Sequence, residues 1–429
     1  MGRCQSGSCH ENRWLVAIMG TVLQLCLGTV YAWSFFQKPL VNTYGWSNSQ
    51  AAWTFCFAIF FLGIASAWGG INLPKFGPKK LAITGGVLYG LGYFVAAFAL
   101  QIKSLLLLYV GFGLIGGLGL GLGYVTPVAT AAKWFPDKKG FITGMVIMGF
   151  GLGALLMSKV IAPLLINLTG GNLVQVFAFI GVVMLCVAVP AAAFLKNPPQ
   201  GFSVPGSKGA ASAHVCSFPD GILTAKQCIF SSRFLLMWLI FFLNITAGIM
   251  FIGFQSPMLQ DLLKKVNPLM TVSELAAAGA TLIAVSSIFN GLGRFFWGGL
   301  SDRIGRVQVF RLILASQVFV FVALLFVKQP FVFGIFVCYV LLCYGGGFGS
   351  MPSFVHDVFG HKLMPVVYGV ILTAWSMGGI VGPQIVAFIK DHYAAGASGY
   401  TFGAGAMLLA IGFVISLFLN NKHFTDRAK

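Results

Sequence analysis

Arg294 stands inside a long apolar run, several residues before Ser301 and Asp302. A guanidinium among apolar residues needs a counter-charge or hydrogen-bond acceptors. The chain has nine acidic residues: Glu11, Asp137, Asp220, Asp261, Glu274, Asp302, Asp357, Asp391 and Asp426. Each falls in a loop, a tail or a helix end, so none is placed to pair with Arg294. The planar fork of an arginine suits a carboxylate, and the expectation is an anion supplied from outside the chain. The competing reading is a side chain that snorkels to the membrane surface. The next turn lies roughly 10 Å along a helix, which favours the ligand. Asn290 is one turn before Arg294, on the same face. It could orient the guanidinium, touch the ligand, or pack as a plain amide. An amide does not titrate, so no proton is carried at that position.

Other chemistry is sparse. Cys26, Cys56, Cys186, Cys338 and Cys343 lie in apolar runs, where cysteine acts as a small hydrophobe, and no disulfide is expected. Cys4, Cys9 and His10 sit on the N-terminal tail, and they are read as no metal site. His356 and His361 could titrate near neutrality but are read as structural. A membrane enzyme would need clustered acids, a metal set or a nucleophile–base pair. None is present, and no cofactor is expected. Nor is there the ring or re-entrant filter of a channel.

The elements that must hold Arg294 are membrane spans. Of 429 residues, 58% are hydrophobic and 8% charged, against about 25% charged in soluble domains. Runs of about 20 apolar residues are the length of spanning helices. They read as 14–37, 50–70, 81–101, 104–134, 140–167, 173–196, 232–256, 275–299, 307–327, 331–353, 364–389 and 400–420. The first is too long for a signal peptide and lacks a cleavage site. The polar stretch 197–231 divides 1–196 from 232–429. With both termini inside, nineteen of the 27 lysines and arginines fall in cytoplasmic segments and six outside, leaving Lys159 and Arg294 within spans. This bias predicts a cytoplasmic N- and C-terminus. It also accounts for the net charge of +18 without nucleic acid.

The chain repeats itself. Gly70-Ile71-Asn72-Leu73-Pro74-Lys75-Phe76-Gly77-Pro78-Lys79 follows the second span, and Gly298-Gly299-Leu300-Ser301-Asp302-Arg303-Ile304-Gly305-Arg306 follows the eighth. Both read as tight basic turns with glycines for positive φ. Two similar halves enclosing a midplane site is a common transporter architecture. Glycines from Gly113 to Gly123 lie within a span with no strand before them, so they read as close helix packing rather than a nucleotide loop. Gly149, Gly151 and Gly153 read likewise.

The two turns resemble the signature loop of the major facilitator superfamily. The first carries Pro74 where the pattern has Asp. A narrower resemblance, to the oxalate/formate antiporter family and the related monocarboxylate transporters, rests on four segments: Asn12-Arg13-Trp14, Gly28-Thr29-Val30-Tyr31-Ala32-Trp33, Lys133-Trp134-Phe135-Pro136-Asp137-Lys138-Lys139-Gly140, and Asn290-Gly291-Leu292-Gly293-Arg294-Phe295-Phe296-Trp297-Gly298. It implies an all-α fold of twelve transmembrane helices in two pseudo-symmetric six-helix bundles. It implies Arg294 as the carboxylate-binding residue, a cavity lined by Tyr31, Tyr124, Phe150, Tyr344 and Phe348, and gating by Lys75, Gly77, Asp302, Arg303 and Arg306. The exchanger carries a lysine in a Tyr-Gly-x-x-x-x-Ala-Lys context. Here Tyr368-Gly369-Val370-Ile371-Leu372-Thr373-Ala374-Trp375 puts Trp375 at that place. One cation matches one carboxylate, and a dianion would leave a charge uncompensated.

The expectation is a secondary active transporter of a monocarboxylate such as lactate, pyruvate or formate. It would work in a plasma (bacterial inner) membrane as a monomer, by exchange or by symport with a proton. A dicarboxylate exchanger and a non-transporting sensor of the same fold are the alternatives.

Overall fold

The computed structural model describes residues 12–135, 139–199, 224–360, 363–393 and 396–419, and of 139–141, 364 and 365 the backbone alone. Cys4, Cys9, His10, Asp137, Lys138 and His361, and residues 200–223 of the expected linker, lie outside the described residues.

Twelve helices among the described residues are long and apolar enough to cross a membrane. They are α1 (Arg13–Tyr44), α2 (Asn48–Phe76), α3 (Pro78–Gln101), α4 (Leu105–Trp134), α5 (Ile142–Leu168), α6 (Leu173–Ala193), α7 (Ser232–Val266), α8 (Val272–Ile304), α9 (Arg306–Leu324), α10 (Pro330–Phe359), α11 (Val366–His392) and α12 (Ala397–Leu417). Their starts are written in the sequence. The Asn12 side chain accepts from Trp14 N at 3.0 Å. Ser47 with Gln50, and Thr271 with Glu274, close full capping boxes, which satisfy the free N–H groups of the first turn.

The ends differ from the sequence reading in one consistent way. Residues 70–76 and 298–304, read as turns, are helical. Only Gly77 (φ 76°) and Gly305 (φ 94°) leave the helix, a backbone region that glycine enters without penalty. They are separated by the same interval as Gly70 and Gly298. Similarly α7 runs to Val266, because a polar helix end carries no hydropathy signal.

The packing repeats with an offset of six helices. α2 lies on α4 as α8 lies on α10. α3 lies on α6 as α9 lies on α12, and α1 lies on α5 as α7 lies on α11. The fold is therefore two pseudo-symmetric six-helix bundles. They meet along α2–α11, α5–α8 and α1–α7. Large side chains such as Leu106, Phe319 and Phe331 stand exposed on the outside, as expected where lipid is the solvent.

The bundles are tied at the end carrying Gly45. Lys38 of α1 donates to Asp261 of α7 at 2.6 Å, and Lys390 of α11 donates to the other oxygen of that carboxylate. Asp391 accepts from Asn48 N, Asn48 Nδ2 and Ser49 N at 2.9–3.1 Å, a carboxylate capping the α2 N-terminus. Ser49 Oγ donates to Gln384 at 2.7 Å. The Lys38–Asp261 and Asp391–Asn48 contacts cross between bundles and must break for this end to open. Half-exposed ion pairs contribute about 0.2–1 kcal/mol each. Asp261→Asn is therefore expected to speed alkylation of Cys56, buried between α2 and α11 beside Gln384, by about fivefold. Site-resolved mass spectrometry after maleimide treatment checks this; an unchanged rate would mean the carboxylate does not hold the end closed.

Candidate substrate site

Arg294 lies well inside α8, eleven residues or roughly 16 Å before the Gly305 turn, and is 3% exposed. Backbone packing fixes it there. Gly345 and Gly349 of α10 sit against α8 so closely that a Cβ would come within 2.0 Å of Asn290 O and 2.3 Å of Arg294 O. No other residue allows this approach. All three guanidinium nitrogens are buried without a protein hydrogen-bond partner. The face of Phe348 lies 5.3 Å from the guanidinium carbon, a cation–π contact that offsets part of the desolvation.

The residues named from the sequence surround this cation. Tyr31 lies in a tight segment of α1, Gly28–Ala32. A Cβ on Gly28 would fall 2.0 Å from Phe150 O, so α1 and α5 touch, and the Tyr31 and Phe150 rings meet at 5.0 Å. Tyr31 and Tyr344 join hydroxyls across the two bundles at 2.7 Å. Trp375 packs on Phe348 at 4.8 Å, Tyr124 at 5.1 Å, Phe150 at 5.7 Å and Tyr31 at 6.3 Å. Asn290 is buried one turn toward the Gly45 end, with its Oδ1 unpartnered.

One member was missed. The Tyr368 hydroxyl is buried and unpartnered, within electrostatic reach of Arg294 and Tyr124. Its signal was available: it precedes Trp375 by two helical turns on the same face. Tyr124 Oη and Trp375 Nε1 are unpartnered as well. The site thus presents one cation, two phenols and an indole N–H, all able to donate. A carboxylate has two oxygens and about four acceptor positions. Such a set can hold one carboxylate, and its neutral members add no second charge.

Lys159 is exposed and donates to Thr281 at 2.6 Å, so it supplies no second cation here. Arg306 pairs with Asp302 at 2.5 Å and with Asp357 of α10 at 2.9 Å, while Arg303 is exposed. Lys75 is exposed over Phe76, and next to Gly77 the place of an acid is taken by Pro74. The ion pairs of Arg306 belong to the second copy of the turn. His356 contacts Asp357 at 3.3 Å at the exposed end of α10.

The family model for the Major Facilitator Superfamily matches residues 17–383. The oxalate:formate antiporter of Oxalobacter formigenes is 25% identical over 394 residues, 91% of this chain and 88% of that protein. Apicoplast pyruvate carrier 1 of Toxoplasma gondii is 26% identical, covering 95% of this chain and 88% of that protein. A bacterial homolog of the human lysosomal transporter Spinster superposes with a TM-score of 0.68 at 17% identity, over 96% of this chain and 98% of that one. That structural likeness shows the fold alone. Twelve spans, two repeated bundles and the family match lead to one conclusion: this chain is a membrane transporter, not an enzyme, and belongs to the Major Facilitator Superfamily.

Proposed function

We propose that this protein is a secondary active transporter of a small monocarboxylate, with Arg294 binding the carboxylate. The observation that supports this most is the buried guanidinium with three unpartnered nitrogens, ringed by neutral donors and by an indole where the exchanger has its second cation. The bundles would rock about the midplane and expose Arg294 to each side in turn. An empty site keeps an unpaired buried charge, so crossing unloaded costs several kcal/mol. That asymmetry favours exchange, in which the site crosses loaded both ways, over proton symport, whose carrier must return empty. The relatives include one named for oxalate and formate and one named for pyruvate, and the single cation favours the monoanions. The lysine and arginine bias supports a plasma (bacterial inner) membrane protein with the Gly305 end and both termini in the cytoplasm, acting as a monomer.

The test is counterflow in proteoliposomes with labelled lactate, pyruvate, formate and oxalate. Uptake of a monoanion at least about a hundredfold more efficiently than oxalate is expected, since a second buried carboxylate charge is left without a partner. Oxalate exchange at comparable efficiency would refute the one-cation reading.

A further inference from the structure

We propose that the seam between α5 and α8 seats one anionic phospholipid, with Lys159 taking the headgroup phosphate. Lys159 lies nine residues before the Leu168 end of α5, and Thr281 nine residues after the Val272 start of α8. Both helix ends are on the Gly45 side, and both residues are exposed. The Lys159 ammonium donates to Thr281 Oγ1 across the seam at 2.6 Å, and the Thr281 hydroxyl donates to Ala277 O at 2.8 Å. The lysine is thus held sideways, level with Thr281, rather than stretched toward the end of the span. α8 has 33 residues, a length of about 50 Å against a hydrocarbon core of about 30 Å. With α8 centred, about 10 Å stands outside at each end, and Thr281, roughly 13 Å along, comes just inside the core. The glycerol and phosphate groups of a lipid lie at that boundary.

Charge decides what sits there. An ammonium has three protons, and one is used on Thr281. No acid of the first bundle can take the others, because residues 12–135 and 139–199 contain no Asp or Glu. On α8 the nearest acid is Glu274, two turns outward, and its carboxylate is held by Thr271 N and Oγ1 at 2.8 Å. A cation at the lipid face calls for an anion, and the anion available at this depth is a lipid phosphate. The surface beneath is apolar. Val285, Ile288, Leu292 and Phe296 follow Thr281 on one face of α8, all exposed. Leu152 of α5 closes the trough beside them, 3.5 Å from the place a Cβ on Gly291 would take. From Thr281 to Leu292 is roughly 16 Å, about one leaflet of a core about 30 Å thick. A cation above an apolar trough one leaflet long matches a phospholipid. A soluble phosphate would use the top alone. A zwitterionic lipid carries its own cation beside the phosphate and gains less from Lys159. Lys159 belongs to one bundle and Thr281 to the other, so the lipid lies across the seam that shifts when the bundles rock. This seat is apart from the Arg294 cage, and the choice of transported anion does not bear on it.

The experiment is native mass spectrometry of the purified full-length protein in detergent, titrated with phosphatidylglycerol or with phosphatidylcholine of the same acyl chains. The first phosphatidylglycerol is expected to bind about fivefold more tightly than the first phosphatidylcholine, the worth of one lysine near an anionic headgroup. Lys159→Gln should abolish that preference. Lys328→Gln, an exposed lysine in the turn between α9 and α10, should leave it unchanged. Equal binding of the two lipids by the wild type overturns the proposal, and so does a preference that survives Lys159→Gln. Glycerol 1-phosphate, added as a competitor at the same concentration, should displace no phosphatidylglycerol. Displacement by it would mean a site for soluble phosphate and overturns the lipid as occupant. Should Lys159→Gln fail to purify, the melting temperature of the wild type carries the comparison. Phosphatidylglycerol should raise it more than phosphatidylcholine, and an equal rise overturns the proposal.

Discussion

Arg294→Gln is expected to lower carboxylate counterflow by at least about a hundredfold, and also to raise the melting temperature of the purified protein. The loss follows from the site. Removing one partner of a buried, hydrogen-bonded charge pair costs about 2–5 kcal/mol, and each 1.4 kcal/mol is about tenfold. The gain follows from the unliganded protein. Its guanidinium is 3% exposed and its nitrogens have no protein partner, so folding desolvates a charge that little compensates. A neutral amide of smaller bulk removes that penalty, and a rise of a few degrees is the expected size. Arg294→Lys separates charge from geometry. It keeps the cation and loses the two-pronged donor, so transport should fall about tenfold without the thermal gain. If Arg294→Gln melts lower and still transports within about threefold of wild type, Arg294 is a structural residue and the site lies elsewhere.

How much of this was legible in the sequence depends on whether one helix carried the signal. Arg294 and Asn290 were readable because both lie on α8, and an apolar background makes a cation conspicuous. Ser286 completes the same stripe at the same spacing, yet a serine in a span is too common to stand out until its hydrogen bond to Gln255 is seen. Tyr368 was hidden for a similar reason: a tyrosine near a span end usually marks the interface. The Lys38–Asp261–Lys390 cluster was beyond reach, since its members come from α1, α7 and α11 and meet only after the bundles close. The turns at Gly77 and Gly305 were placed correctly but drawn too long. Basic and small residues there suggested a loop, whereas an Asp302–Arg306 pair at helical spacing is at home on a helix end.

Trp375→Lys is expected to move the protein from monocarboxylates toward dicarboxylates. Trp375 is fully buried at the place that the family resemblance matches to a lysine, and it touches Tyr31, Tyr124, Phe150 and Phe348. A lysine there is shorter, leaves space between those rings, and brings a second cation to face Arg294. Two like charges in a water-poor cage repel, and large-to-small changes at buried aromatics cost about 3–5 kcal/mol. The variant should therefore melt well below wild type when no ligand is added. A dianion reverses both effects, because it neutralises two cations and fills the space. Ligand present at 100 times its Kd stabilises by about 2.7 kcal/mol. Oxalate should then raise the melting temperature of the variant by several degrees and leave wild type nearly unmoved, while lactate should do the opposite. Counterflow should follow, with lactate uptake down at least about tenfold and oxalate exchange appearing. Trp375→Phe supplies the control, since it removes the indole N–H and some volume without adding charge, and it should weaken lactate uptake without any response to oxalate. Should oxalate stabilise Trp375→Phe as much as Trp375→Lys, volume rather than charge would set the choice of anion, and the count of cations would no longer explain the selectivity.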